Sequence, residues 1–347
     1  MATHIFDGHN DTLTLLAGLK VSDPVAQFVK GTHGHIDVPK AQEGGFAGGF
    51  FAIWVRSPGP GGFSLNDLKP PYDVPLPKMV DQAEAWEIVE RSANILQALD
   101  KAGAVRICRT VDEIEAARAD GVIAAIMHVE GAEAIGPELS ELDRLYDMGL
   151  RSLGPVWSRE TIFGHGVPFR YPSDGDIGVG LTEAGKALVA RSNELKILID
   201  LSHLNAAGIA DVAKISDAPL VATHSNAWAV SPHARNLTDP QLQLIADSGG
   251  VVGLNFECSF MRPDGVPNVD TPRADAMAQL DYLLDKLGED GVTLGSDYDG
   301  CKPPQWLNRA DKLPNLVRAM EQHGYAPERI EKICWGNWMR VLRETWG

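Results

Sequence analysis

The chain has 347 residues, enough to bury a large core in one big domain or two ordinary ones. Hydrophobic residues make up 44% and charged residues 22%, a globular balance that excludes disorder, a coiled coil and a collagen-like repeat. With 31 Lys+Arg against 47 Asp+Glu the net charge is −16, which argues against nucleic acid or an anionic membrane surface as partner.

The four cysteines, Cys108, Cys258, Cys301 and Cys334, form no CxxC pair and no disulfide scaffold. The N-terminal MATHIFDGHNDTL lacks the basic-then-apolar pattern of a signal peptide. No window approaches the ~20 apolar residues of a membrane span. The C-terminal RVLRETWG lacks a hydrophobic anchor tail. The expectation is a cytoplasmic protein with no membrane partner.

Taken in chain order, eight short apolar runs read as strands: His4–Gly8, Gly49–Val55, Val122–Val129, Arg151–Trp157, Lys196–Leu201, Leu220–Thr223, Gly250–Phe256 and Val292–Gly295. Most are continuous rather than alternating, as parallel strands covered on both faces should be. Val105–Cys108 reads as a side strand. Helix patterns lie between them: Val80–Lys101, a short helix opened by a capping box at Thr110-Val-Asp-Glu113, Leu139–Met148, Thr182–Glu194, Ala206–Ile215, Pro240–Asp247, Thr271–Leu287, Leu313–His323 and Pro327–Thr345. Thr271-Pro272 reads as an N-cap followed by Pro at the first helical position. Strand and helix in alternation predict an α/β fold, a (β/α)8 TIM-type barrel, with a doubly wound sheet as the alternative. No linker or repeat divides the chain, so residues 1–347 read as a single domain. The Pro/Gly-rich stretch near 57–77, after the second strand, reads as a surface or active-site loop insertion.

The chemistry gathers where these strands end. His9-Asn-Asp11 follows the first strand, and residues i and i+2 of an extended segment share a side. Glu130 ends the third strand, His203 the fifth, His224 the sixth and Asp297 the eighth. Each residue alone could be a cap, a turn or a satisfied polar group. Together they mark the carboxyl face on which barrel active sites are built. Imidazoles with carboxylates suit zinc and its neighbours. Five ligands are too many for one open four-coordinate ion, but fit two. Glu130 can bridge, with His9 and Asp11 on one side and His203 and His224 on the other. Two such ions about 3.5–4 Å apart can hold one hydroxide between them. Asp297 is left over, and is best placed as the general base that later protonates the leaving amine.

These residues lie in motifs that resemble the membrane (renal) dipeptidase family of binuclear zinc peptidases, within the amidohydrolase-like barrels. The matching segments are Asp7-Gly-His9-Asn-Asp11-Thr12, His128-Val-Glu130-Gly131, Ser202-His203, Thr223-His224-Ser225-Asn226-Ala227, Ala234-Arg235-Asn236 and Gly295-Ser296-Asp297-Tyr298-Asp299-Gly300, with Trp335-Gly336-Asn337 and Arg340-Val341-Leu342 near the end. The resemblance runs in order along nearly the whole chain. It implies His9, Asp11 and Glu130 on one zinc and Glu130, His203 and His224 on the other. It also implies Asp297 as acid/base, Arg235 on the substrate's C-terminal carboxylate, and a homodimer.

The chain also departs from the family. The usual Leu-Thr-Leu-Thr-His at the fourth strand is here Leu153-Gly-Pro-Val-Trp157. Trp157 therefore stands where a His would contact the reacting carbonyl, and His165 in the following loop is the candidate substitute. His128 replaces a small residue and reads as a satisfied core histidine. The predicted activity is hydrolysis of small dipeptides by a hydroxide bridging two divalent metal ions. The alternative keeps the centre but takes an N-acyl-amino acid, a lactone or a β-lactam. A binding protein on an inactive barrel is disfavoured, because all six polar residues are intact.

Overall fold

The computed structural model describes residues 3–21, 23–57 and 68–347. Eleven strands are present among them: β1 (Ile5–Asn10), β2 (Phe46–Trp54), β3 (Tyr72–Asp73), β4 (Val105–Ile107), β5 (Ile123–Glu130), β6 (Leu150–Gly154), β7 (Arg170–Tyr171), β8 (Leu198–Ile199), β9 (Val221–Ala222), β10 (Val251–Leu254) and β11 (Val292–Leu294). The main sheet is parallel, in the order β1-β2-β5-β6-β8. A second parallel sheet follows as β9-β10-β11. Single parallel bridges, Asp200 to Val221 and Asn10 to Tyr298, connect the ends of the two sheets. Each predicted principal strand is found, and most are shorter than their apolar runs.

The side strand shares an edge. β4 pairs with Ile123–Ala125 at the start of β5, and β6 pairs from Met127 onward. The predicted 57–77 insertion is only partly visible, because residues 58–67 lie outside the described residues. Its later part supplies β3, which pairs antiparallel with β7.

Alternation sorts the core into two clusters. Ile5, Phe51, Ala125, Met127, Ile199, Ala222 and Val252 join a large cluster shared with the surrounding helices. Phe6, Phe50, Ala124, Ile126, Leu198, Val221 and Val251 join a second one. Successive side chains of a strand point to opposite faces, so each strand is covered on both. That is why these strands read as continuous apolar runs. The second cluster is closed by Trp335, just before the last helix, and by Trp338, Met339, Val341 and Leu342 within it. Gly8 accommodates this helix: a Cβ there would lie 2.5 Å from Trp338. Glu130 shares its strand face with Ala124, Ile126 and His128, and so stands at the carboxyl end above this cluster.

The helices match the periodicity except at their ends. The 110–113 segment is not a full capping box. Thr110 accepts the Glu113 N–H, but the Glu113 carboxylate takes the N–H of Arg109 instead of Thr110. The Thr271 helix begins at Arg273, because the Thr271 hydroxyl turns back to Asn268 O. The predicted final helix is interrupted by a π-turn over Lys332–Gly336 before Asn337–Trp346. No described helix is long and apolar enough to cross a membrane.

Candidate metal centre and active site

Parallel strands end together on one face, so residues far apart in sequence converge there. His9 lies near the end of β1 with Asp11 just beyond it. His9 Nε2 is 3.5 Å from Asp11 Oδ2 and 3.7 Å from Glu130 Oε2. Glu130 closes β5. Its Oε1 is 3.0 Å from His203 Nε2 and 3.4 Å from His224 Nε2. The structure thus brings all five predicted ligands together, buried around one carboxylate. Three groups have ligand atoms mutually within 4.8 Å: two share Glu130, namely His9, Asp11 and Glu130, and Glu130, His203 and His224, and the third is His9, Asp200 and His224.

The donor chemistry fits a cation. Thr223 Oγ1 lies 2.6 Å from Asp200 Oδ2 and 2.8 Å from His224 Nδ1. Its single proton goes to the carboxylate, so it accepts from Nδ1–H. Burial, with His9 and Arg235 nearby, pushes His224 well below the usual imidazole range, so the ring is neutral. Its Nε2 lone pair therefore faces inward, 3.4 Å from Glu130 Oε1 and 3.2 Å from His203 Nε2, so that ligand atoms crowd around a point a cation can occupy. His203 Nδ1 is held similarly by Ser158 Oγ at 2.8 Å. Neither ring nitrogen of His9 has a hydrogen-bond partner, though the ring is fully buried. Burial disfavours a charged His9, yet Glu130, Asp11 and Asp297 outweigh it and push its pKa up to about 10. The pocket field therefore favours positive charge.

The supporting residues carry a prediction. Partners that orient a ligating imidazole typically account for 10- to 100-fold in metal affinity. Thr223→Val removes the acceptor for His224 Nδ1–H and should weaken metal retention by roughly that factor. Competition against a chromophoric chelator measures it, and unchanged affinity would refute the orienting role.

Asp297 follows β11 at φ +58, a strained conformation for a non-glycine residue. Its N–H donates to His9 O at 2.9 Å, and its Oδ2 accepts from Asn255 Nδ2 at 3.0 Å. Burial pushes its pKa up to about 7, with Asp11 adding and His9 and Arg235 opposing. Gly300 makes room: a Cβ there would sit 2.1 Å from Asp11 Oδ2 and 2.6 Å from Asp297 Oδ1. His203 is likewise left-handed, at φ +69. Strain of this kind persists where the surroundings over-determine it, as at this cluster.

Arg235 is buried, and no carboxylate lies within ion-pair distance of it among the described residues. It donates to His224 O at 3.1 Å, and its Nε has no partner. Its backbone N–H donates to His233 Nδ1 at 3.0 Å. It does not itself line the cavity, whose wall there is Phe260, 5.5 Å from the guanidinium.

A cavity of about 840 Å³ opens over the cluster. Asp11, Glu130, His203 and Asp297 line it, with Trp54, Trp157, Phe169 and Val74–Pro77 as walls. Trp157 packs against Trp54 at 5.1 Å, Phe169 at 5.8 Å and the His203 ring at 5.9 Å. His165 is elsewhere. It pairs with Glu160 at 3.0 Å and is not among the lining residues. His128 is buried and neutral, pushed by burial down to about 3. Its Nδ1 meets Ser152 Oγ at 2.9 Å, but Nε2 has no hydrogen bond and lies 3.7 Å from Asp200.

Several supporting residues escaped the sequence reading. Asp7 accepts from Ser296 N at 2.6 Å and Ser296 Oγ at 2.8 Å, tying β1 to the Asp297 turn. Asp200 is the one charged residue in the Ile197–Leu201 stretch, a signal of the same kind as Glu130 at the end of its strand. Arg159 is fully buried, 2.8 Å from Glu133, and also holds Val55 O and Ser57 Oγ. Its guanidinium lies 5.3 Å from the Trp157 ring. Arg159→Met should leave the Glu133 carboxylate buried and unpaired, at a loss of about 3–5 kcal/mol in urea unfolding.

A sequence model of the membrane dipeptidase family, peptidase family M19, matches residues 1–346. The chain belongs to this family. It is a metallo-dipeptidase by membership, and divalent-metal use goes with that class. Among solved structures, a metallo peptidase from Rhodobacter sphaeroides, liganded with a phosphinate mimic of the dipeptide L-Ala-D-Ala, is 48% identical with a TM-score of 0.95; each chain is covered to 100%. Dipeptidase AC, a metallo peptidase of family M19, is 49% identical with a TM-score of 0.96, again with 100% of each chain covered. An uncharacterized protein in the pqqA 5' region of Klebsiella pneumoniae is 44% identical over 262 residues, 75% of this chain and 97% of its own.

Proposed function

We propose that this dipeptidase hydrolyses the amide bond of small dipeptides at a centre of two zinc ions. The observation that carries the reading is the Glu130 carboxylate, with one oxygen turned to His9 and the other to His203 and His224. His9 and Asp11 with Glu130 would hold one ion, and Glu130 with His203 and His224 the other. Imidazole and carboxylate donors suit zinc. Bound there, the ions supply Lewis-acid polarisation of the scissile carbonyl and a water of lowered pKa.

The remaining steps belong to side chains. Asp297 accepts the proton of the attacking water and returns it to the departing nitrogen, while Asn255 fixes the carboxylate's angle. Arg235, charged and without a carboxylate partner, is the anchor that the family resemblance assigns to the substrate's C-terminal carboxylate, and reaching it from the cavity requires the Phe260 ring to give way. Trp157 narrows the cavity beside His203 and restricts it to short substrates. The mimic bound to the Rhodobacter sphaeroides peptidase supports a dipeptide as substrate.

The same reading covers the architecture. The two parallel sheets with their connecting bridges support a closed (β/α)8 barrel over residues 1–347 as one domain. The family resemblance supports a homodimer, which sedimentation would check. The deciding experiment is a zinc-loaded preparation assayed on a dipeptide panel with L or D C-terminal residues. Turnover is expected. No turnover of any dipeptide with two metals bound would overturn the peptidase reading, and turnover of N-acyl-amino acids, lactones or β-lactams alone would redirect it.

A further inference from the structure

One corner of the cavity is not used by the reaction. It is formed by the turn after β11 and the segment facing it, and His35, Asp299, Lys302 and Asn308 line it. Asp299 is its carboxylate, and both oxygens are engaged. Oδ1 accepts the His35 N–H at 2.6 Å, and Oδ2 accepts the Thr12 hydroxyl at 3.2 Å. The Asp299 N–H in turn donates to His35 Nδ1 at 2.9 Å. A ring nitrogen that accepts carries no proton, so the neutral imidazole holds its proton on Nε2. The ring is neutral, because burial, aided by Lys40 and Arg309, pushes its pKa down to about 4. The side chain is 27% exposed, and its Nε2–H makes no hydrogen bond among the described residues.

The other polar groups here are donors too. Lys302 donates its backbone N–H to Glu257 at 2.7 Å, but no carboxylate of the described residues lies within ion-pair distance of its ammonium. The Asn308 side chain makes no hydrogen bond there. The segment is fixed by Tyr298, which donates to Leu307 O at 2.7 Å, and by Ala310, which donates to His35 O at 2.9 Å. An imidazole N–H and an ammonium thus face the cavity, with an amide that can donate as well, and both oxygens of Asp299, the carboxylate of this corner, already accept hydrogen bonds. Such a set matches a carboxylate.

We propose that this corner is a subsite for an anionic side chain, so that the enzyme prefers dipeptides whose N-terminal residue is Asp or Glu. The proposal rests on the dipeptidase reading above, and the order of groups across the site assigns the end. Arg235 lies at His224. Asn255 bridges from His224 O to Asp297. The Asp299–Lys302 turn continues from Asp297 itself, with the Gly300 and Cys301 N–H groups donating to Asp297 O at 3.0 and 2.9 Å. A substrate held at Arg235 by its C-terminal carboxylate therefore extends its N-terminal residue toward the donor corner. Among the described residues, Arg56, after β2, is the other cation lining the cavity without a carboxylate partner, and serves as the competing explanation.

The test uses the zinc-loaded protein and the series Glu-Ala, Asp-Ala, Gln-Ala and Lys-Ala, each with L- and D-alanine. Wild type should show kcat/KM for Glu-Ala or Asp-Ala about tenfold or more above Gln-Ala, its uncharged near-isostere. Lys302→Met should bring that ratio close to one, mainly through KM, and Lys302→Glu should turn the preference toward Lys-Ala. Ratios within one preparation cancel any loss of folded protein. Equal rates for Glu-Ala and Gln-Ala in wild type, or a ratio that follows Arg56→Met and not Lys302→Met, would overturn the subsite and leave the dipeptidase reading standing. Absence of turnover across the whole series overturns both.

Discussion

Asp297→Asn should reduce kcat by about 10²- to 10⁴-fold, the usual contribution of a positioned acid/base, without changing metal content. Asparagine is the clean substitution here. Asp297 sits at φ +58, a region that Asn tolerates and most residues do not. An Asn side-chain oxygen can still accept from Asn255 Nδ2, which now bonds Asp297 Oδ2 at 3.0 Å. What disappears is the capacity to take up a proton and return it. Asp297 belongs to neither close donor group around Glu130, so elemental analysis of the variant should match wild type. Wild-type turnover with full metal content would remove Asp297 from the reaction. Loss of metal alongside activity would instead make it a ligand.

That Asp297 could be singled out from sequence reflects a physical regularity. Parallel strands covered on both faces are apolar along their length, so a charged residue at the last position stands out. Glu130, His203, His224 and Asp297 were all visible in this way, and so was the order of the strands. His9 and Asp11 needed only the two-residue period of an extended segment. The side strand was legible too, although its sharing of one β5 edge with β6 was not.

What stayed hidden depends on contacts between residues remote in sequence. Asp7 meets Ser296 across 289 positions, and no local pattern marks that pair. Thr223 could be quoted beside His224, but its role appears only when Asp200 arrives from another strand end. Arg159 and Glu133 look like ordinary loop charges until burial makes them a pair. Helix ends departed for a smaller reason: Thr110 caps its helix, but the Glu113 carboxylate that should complete the box takes the Arg109 N–H, and the Thr271 hydroxyl turns to Asn268 O, neighbouring backbone groups that only the fold supplies. His165 was a loop residue chosen for its chemistry alone, and the loop carries it to Glu160.

Glu130→Gln should abolish both activity and stable metal binding, and the second loss is the more informative. Glu130 is the one side chain common to the donor group of His9 and Asp11 and the donor group of His203 and His224. Its Oε1 stands 3.0 Å and 3.4 Å from the Nε2 atoms of His203 and His224, and its Oε2 3.7 Å from that of His9. Glutamine keeps the volume but removes the negative charge, and puts an NH2 group where one oxygen stood. The NH2 cannot ligate and the remaining amide oxygen is uncharged and serves at most one ion, so a shared carboxylate predicts loss of the paired centre rather than of one ion alone. If Glu130 served only one site, a single equivalent would remain. Elemental analysis after gel filtration separates these outcomes. Thermal melting supplies an independent reading, because a ligand that binds only the folded state stabilises it by RT ln(1 + [L]/Kd). Zinc should raise the melting temperature of wild type and leave the variant near its chelated value. The variant should melt no lower than chelated wild type, since a neutral amide avoids burying a carboxylate there and can donate to the His224 Nε2 lone pair. A variant that still binds two ions and melts with wild type would mean that the centre is not organised around Glu130.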